Sequence, residues 1–412
     1  MTTYTVSALR TVALYAQGLG SSNDSTPTRD TIYETIERIG CLQIDTLHMV
    51  RRSHYLVLWS RLGCYSPDDL DAMSSAADRR LFEGWQHAAS IIPLTDYRYQ
   101  LPHQRNLREH PTNWYNRWLN DSVQREFVPK VLERIRQEGA LKVSDFESDG
   151  HQGGTWWNWR PAKVALEFLY AYGDLMVAGR SKFQRIYDLT GRVLPDWVDT
   201  TEPTVEERDR FWVERGARAL GVCLPRHAGD YTWMKVGRSR PIVEALLKEG
   251  ILLPITGVWE DGHTQELVVH RDHLPLLKQA ADGDIQASLT TFLSPFDNLW
   301  WANRRDELFW SFHQSLEAYL PASKRVYGYF CMPILHKDRL IGRFDPKLER
   351  KTFTLRLKTL YLEPGIALDE ELVKDVAATM RNFMRFHAAR ELVVERSEPA
   401  DFAIRLCKEI QE

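Results

Sequence analysis

The sequence predicts an α+β protein in which tandem winged-helix (helix-turn-helix) units are followed by a C-terminal mixed α/β domain. Three observations predict it. A helix-spaced apolar pattern from Pro161 to Tyr172 runs directly into a hairpin pattern over 174–187. The same order of helix, turn, helix and hairpin recurs between residues 208 and 270. From about Leu293 the pattern changes to paired strand-like runs and one long helix.

Taken in order, residues 6–17 carry Val6, Leu9, Val12, Ala13, Tyr15 and Ala16 at helical spacing, and Gly18, Gly20 and Pro27 break the pattern. A second helix is predicted over 28–39, with Ile32, Ile36 and Ile39 on one stripe and Gly40 just past its end. A short extended piece around 42–45 precedes a buried helix over 55–62, ended by Gly63. These segments and a mostly helical extension, with a strand-like stretch at 89–93, make the first unit, 1–138. The second unit, 139–200, opens with 141–146 and passes a Gly-rich loop (Gly150, Gly153, Gly154). It enters a helix with Pro161 in its first turn and closes in a hairpin turning at Gly179, Arg180 and Ser181. The third unit, 201–290, has helices over 208–220 and 240–248 and a hairpin turning at Asp261 and Gly262. In the fourth, 291–412, strands over 339–344 and 352–362 flank a turn at Asp345, Pro346 and Lys347. A helix over 369–394 and a polar tail follow.

The composition excludes several function classes. The chain is 43% hydrophobic and 26% charged, with 14 Trp among 412 residues, so it folds around substantial cores and is not disordered. No apolar run approaches the roughly 18 residues that span a bilayer. The N-terminus has no basic region followed by an apolar stretch, so no secretory leader is expected. Five scattered cysteines without a Cys-x-x-Cys pair argue against a disulfide scaffold or a zinc finger and fit a reducing cytoplasm. No metal or other cofactor is expected, because no His/Cys/Asp cluster has ligand spacing.

The net charge of −3 conceals an uneven distribution. Arg160, Lys163, Arg180, Lys182 and Arg185 fall on the expected recognition helix and wing of the second unit, Arg238 and Arg240 on the third, and Lys324 and Arg325 in the fourth. Arg52 stands just beyond the short extended piece. Most charge runs are solvated faces, but placement on wings and recognition helices is where DNA phosphates are met. The cluster Thr155-Trp156-Trp157-Asn158-Trp159-Arg160 likewise has two readings: stacking on bases or a packed anchor beneath a loop.

The segment Cys41-Leu42-Gln43-Ile44-Asp45-Thr46-Leu47 also reads two ways. If extended, it sends Ile44 into the core and sets Gln43 and Asp45 side by side on the other face, where an amide and a carboxylate can hold a water and take its proton. Alternatively it is a strand end at which Asp45 or Thr46 caps the following helix.

The chain resembles the YcaQ/AlkZ-type winged-helix DNA glycosylases, and the YcaQ (AlkX) branch most. The matching stretches run end to end: Ala16-Gln17-Gly18-Leu19, Leu42-Gln43-Ile44-Asp45-Thr46, Arg52-Ser53-His54-Tyr55-Leu56-Val57-Leu58, and Phe183-Gln184-Arg185-Ile186-Tyr187-Asp188-Leu189-Thr190. Further on come Arg192-Val193-Leu194-Pro195-Asp196-Trp197, Leu293-Ser294-Pro295-Phe296-Asp297 and Lys324-Arg325-Val326-Tyr327-Gly328-Tyr329-Phe330. One departure stands out. The family's Trp-x-His-Glu-Ala reads Trp85-Gln86-His87-Ala88-Ala89 here, so His87 is kept and a carboxylate is lost.

The resemblance implies a monofunctional DNA glycosylase that releases N7-alkylated guanine and unhooks interstrand crosslinks in double-stranded DNA. Gln43 and Asp45 correspond to the catalytic Gln-x-Asp pair: Asp45 as general base and stabiliser of the oxocarbenium-like sugar, Gln43 orienting the water. His54 and His87 are possible auxiliaries, although a lone histidine is more often structural. The implied protein is a monomer in the cytoplasm, associated with the nucleoid if bacterial, and has no membrane partner. The competing expectation is a non-catalytic tandem winged-helix transcription regulator, which would read base edges and release no base.

Overall fold

A computed structural model describes residues 2–22, 25–75, 78–146 and 161–411. The Gly-rich loop, the Trp156–Trp159 cluster and Arg160 lie outside them. The chain divides into two compact units, one made of 1–67, 86–90 and 209–412, the other of 68–85 and 91–208.

In the first unit the helix Val6–Ala16 begins at Thr5, whose hydroxyl accepts the N–H of Ala8. The helix Arg29–Ile39 is held by a capping box between Thr28 and Thr31 and ends at Gly40, whose φ of 84° suits glycine. Its predicted stripe, Ile32, Ile36 and Ile39, is fully buried. Helix Ser53–Leu62 is buried on nearly all sides.

Residues from two of the short matching stretches, Gln17 and Asp297, meet on Arg61 in one buried polar network. Arg61 places two hydrogen bonds on the Asp297 carboxylate, at 2.8 and 2.9 Å, and donates through Nε to the backbone carbonyl of Gln17. The Gln17 side chain accepts from Arg61 Nη2 and donates to the carbonyl of Ala219. Ser53 and Ser294 join hydroxyls at 3.2 Å alongside. Buried polar groups must find partners, and here Arg61 supplies them for Gln17 and Asp297 while Ser53 and Ser294 supply each other.

The remainder of the first unit carries two sheets. Val205–Leu220, Val222–Cys223, Val236–Lys248 and the hairpin Leu252–Val258/Thr264–His270 follow winged-helix order, with Gly262 in the turn at φ 83°. The N-terminal strand Thr3–Thr5, absent from the sequence expectation, pairs in parallel with Leu252–Val258 and covers that edge. The C-terminal sheet has six strands: Thr290–Phe292, Met332–His336, Arg339–Glu349, Thr354–Leu362 and Glu391–Val394 in that order, with Ser397–Glu398 also beside Thr354–Leu362. Helix Glu370–Phe386 brings Phe383 onto it against Trp59, Phe292 and Phe344.

Three features of this C-terminal part differ from the sequence expectation. Residues 345–347 are no turn, because Arg339–Glu349 continues through them with a register shift between Asp345 and Pro346. A bulge accommodates the proline without a ladder N–H. The helix stops at Phe386, and Ala388 takes φ 54° before the chain returns as a strand. The polar tail is the amphipathic helix Ala400–Gln411, with Phe402 and Leu406 buried.

In the second unit, Ser122–Glu138, Leu141–Lys142, Pro161–Ala171 and the hairpin Leu175–Ser181/Gln184–Leu189 give the winged-helix order around one core. The hairpin turns at Lys182 and Phe183, not at Gly179. Both take positive φ, 47° and 71°, as a two-residue turn matched to strand twist requires. Gly179 instead sits at a register irregularity. Among the described residues no helix is long and apolar enough to cross a membrane.

Candidate active site

The strand Leu42–Gln43 is short, and its entry is fixed from below. Asn298 donates to the carbonyl of Cys41 at 3.0 Å, and the buried Tyr231 hydroxyl donates to that of Ile39 at 2.7 Å. Leu42 is fully buried, whereas Gln43, Ile44 and Asp45 are each half-buried. The expectation that Ile44 is the core anchor is therefore corrected: Leu42 is. Ile44 is held through its backbone, its N–H donating to Ala89 at 2.8 Å.

Asp45 lies beyond the strand and caps no helix. The helix that follows starts at Ser53 with Arg52 at its N-cap position. Asp45 Oδ1 instead accepts the N–H of Leu47, two residues on, at 2.7 Å. Burial pushes its carboxyl above the ordinary carboxylate value, against the opposing pull of the Leu47 and Thr46 N–H groups. The following residues are pinned to the C-terminal sheet: Leu348 donates to Met49, and Arg350 to the carbonyls of His48 and Val50. A half-buried carboxylate with a raised pKa on a doubly anchored segment can accept a proton from water.

Tyr319 is a residue the sequence reading missed. It is 72% exposed, and its phenol is raised by burial and by the neighbouring charge of Asp45. Its loop is rigid. The Glu317 carboxylate accepts the N–H groups of Val326, Tyr327 and Gly328, while Asp345 accepts those of Tyr329 and Phe330. A Cβ on Gly328 would lie 2.4 Å from Asp345 Oδ2, so only glycine fits there. The sole hint in the sequence was the aromatic weight of 294–330.

His87 uses both ring nitrogens structurally. Nδ1 pairs with the carbonyl of Tyr231 at 3.2 Å, Nε2 accepts from Trp233 Nε1 at 3.0 Å, and the ring stacks on Trp301 at 4.2 Å. Burial lowers its pKa to about 4, so it is neutral at physiological pH. Trp233, exposed and at φ 55°, was not anticipated either. His54 is buried in its helix with its ring 4.2 Å from that of Tyr55.

The expected DNA contacts separate into groups. Arg180 and Arg185 both turn their guanidinium groups onto Glu83, and Arg180 also reaches the carbonyl of Phe183. Arg238 is paired with Asp209, Arg240 lies 3.6 Å from Glu244, and Lys163 lies 3.9 Å from Glu167. Arg325 donates to the carbonyls of Glu317 and Leu320. Arg52 is half-buried beside the Asp45 segment. Lys182 and Lys324 are exposed and make no ion pair among the described residues.

Comparison with known proteins decides the family. The profile of the DNA glycosylase AlkZ-like family matches residues 36–386, a span that contains Gln43, Asp45, His87 and Tyr319. The chain belongs to this family. Among solved structures, it matches the DNA glycosylase AlkZ of Streptomyces sahachiroi with a TM-score of 0.64 at 14% identity, over 96% of this chain and 100% of that one. At that identity the likeness is one of fold. As a member of a DNA glycosylase family, the protein acts on DNA in repair, and its matched region includes both the anchored carboxylate and the aromatic loop beside it.

Proposed function

We propose that the protein hydrolyses the N-glycosidic bond of N7-alkylated guanine in duplex DNA, including guanines joined in interstrand crosslinks, with no lyase step. The observation that carries this reading is Asp45: a half-buried carboxylate, raised in pKa, on a segment anchored at both ends, next to Gln43.

Alkylation at N7 makes guanine a cationic leaving group, so departure needs little general-acid help. What the protein must supply is compensation for positive charge on the sugar and a placed water. A carboxylate about 4 Å from that charge, at an effective dielectric near 20, contributes about 4 kcal/mol, or roughly a thousandfold in rate. Asp45 fills this role and takes the proton from water. The Gln43 amide fixes the water's orientation without moving protons. His87, neutral and bonded at both nitrogens, acts as a support for the segment and not as an acid. Exposed Lys182 and Lys324, with Arg240, supply phosphate contacts to the duplex. A cytoplasmic monomer suffices for all of these steps.

The test is release of free base from N7-alkylated and crosslinked duplexes by the wild type, Asp45→Asn and Gln43→Ala. Loss of about a thousandfold in Asp45→Asn supports the assignment, and equal rates in all three overturn it. Sequence-selective binding of undamaged DNA without base release would favour the transcription-regulator reading.

A further inference from the structure

The second unit contains a cavity of about 500 Å³ that the chemistry at Asp45 does not use. This volume falls within the range that small-molecule sites occupy. Phe82, Tyr97, Tyr115 and Tyr170 give it aromatic walls, and Trp85, 61% exposed, stands at its edge. Such walls suit a flat ring system, which stacks on them face-on or edge-on.

The walls are held in place by contacts among the lining residues themselves. The Tyr170 hydroxyl donates to the carbonyl of Glu83 at 3.0 Å, and the Arg185 guanidinium lies 5.1 Å over the Tyr170 ring while bonded to the Glu83 carboxylate. The side-chain amide of Gln104 also lines the cavity. That amide occupies the space a Cβ would need at Gly173, since Gln104 Oε1 lies 2.4 Å from the position such an atom would take. The glycine therefore leaves room for an aimed amide at the cavity wall.

A carboxylate without a close partner among the described residues belongs to the same lining. Glu167 projects from the helix Pro161–Ala171, and its nearest charged neighbour, Lys163, is a loose 3.9 Å away. A carboxylate accepts two parallel N–H donors. Among the nucleobases, guanine offers that pair on one edge, from N1 and its exocyclic amine, while its N7 and O6 accept from an amide.

We infer that this cavity binds a guanine base, stacked between its aromatic walls and read by Glu167 and Gln104. The inference depends on the glycosylase reading only in selecting a nucleobase among flat heterocycles. It adds a guanine-recognition site in the second unit, separate from Gln43 and Asp45.

Isothermal titration calorimetry of the full chain with guanosine, adenosine and cytidine tests it, because nucleoside binding is read without any base release. Guanosine is expected to bind at least about tenfold more tightly than the other two, the discrimination that one well-placed paired contact gives. Glu167→Gln should weaken guanosine binding by about tenfold or more while leaving the thermal midpoint in place. Gln104→Ala provides an independent second variant with the same expected direction. Absence of guanosine binding, equal binding of guanosine and adenosine, or an unchanged affinity in both variants overturns the inference. Base release from N7-alkylated DNA, run in parallel on the same preparations, reports separately on the chemistry at Asp45.

Discussion

Arg61 and Asp297 face each other through two hydrogen bonds of 2.8 and 2.9 Å, with both side chains sealed from solvent. They are separated by 236 positions in the chain, so this one pair ties the helix Ser53–Leu62 to the segment that supports Cys41 through Asn298. Removing one partner leaves a buried charge uncompensated. Asp297→Ala should therefore cost about 3–5 kcal/mol, measured by urea unfolding. A loss below about 1 kcal/mol, the usual range of an exposed pair, would show that the network is dispensable.

Glu83 holds two wing arginines at once. Glu83→Gln keeps the hydrogen-bonding shape but removes the negative charge, so the net positive charge of Arg180, Arg185 and residue 83 rises by one unit. If this wing meets phosphates, duplex affinity rises and the plot of log K against log salt steepens by about 1–2. Fluorescence anisotropy across a salt series measures it, and an unchanged slope places the wing away from DNA.

The pH profile of base release should report Asp45. A base works deprotonated, and burial raises this carboxyl. Activity is thus present at neutral pH and falls as pH drops through a value above that of an ordinary Asp carboxyl, near 3.9. Asp45→Asn should abolish this acid limb together with most of the rate. A limb that survives the substitution belongs to another group.

His87 should make stability pH-dependent. Its pKa is about 4 in the fold, and near 6.5 in an unfolded chain. Between those values the unfolded state binds the extra proton. The contribution is intact above about pH 6.5 and is lost as pH falls toward 4, by at most about 1.4 kcal/mol per pH unit. Chemical denaturation at several pH values should show His87→Gln to be less stable at neutral pH but flatter across this window.

Helices were legible where local signals agreed. The Ile32, Ile36 and Ile39 stripe with Gly40 behind it fixes both the face and the end of its helix. Hairpin turns were less so: a glycine marks permission for unusual backbone, not its use, and Lys182-Phe183 took the positive φ while Gly179 did not. Pairing partners far along the chain leave no local trace, which is why Thr3–Thr5 and Glu391–Val394 went unnoticed as strands. In the candidate site, Gln43 and Asp45 could be named from their spacing and from the family resemblance. Tyr319 could not, because only the folded chain, through a loop held by Glu317, lets the charge of Asp45 act on its phenol, and no spacing rule encodes that.

The interleaved division of the chain also has a consequence for its synthesis. The second unit closes by residue 208, so a ribosome completes it while its N-terminal 67 residues still await their partners from 209 onward. Thr3–Thr5 finds its neighbouring strand only after Val258 has emerged, and Arg61 waits for Asp297. The segment that carries Gln43 and Asp45 is thus among the first parts made and the last secured, and a chain stalled before Asp297 carries an arginine at the centre of its core with no counter-charge to meet it.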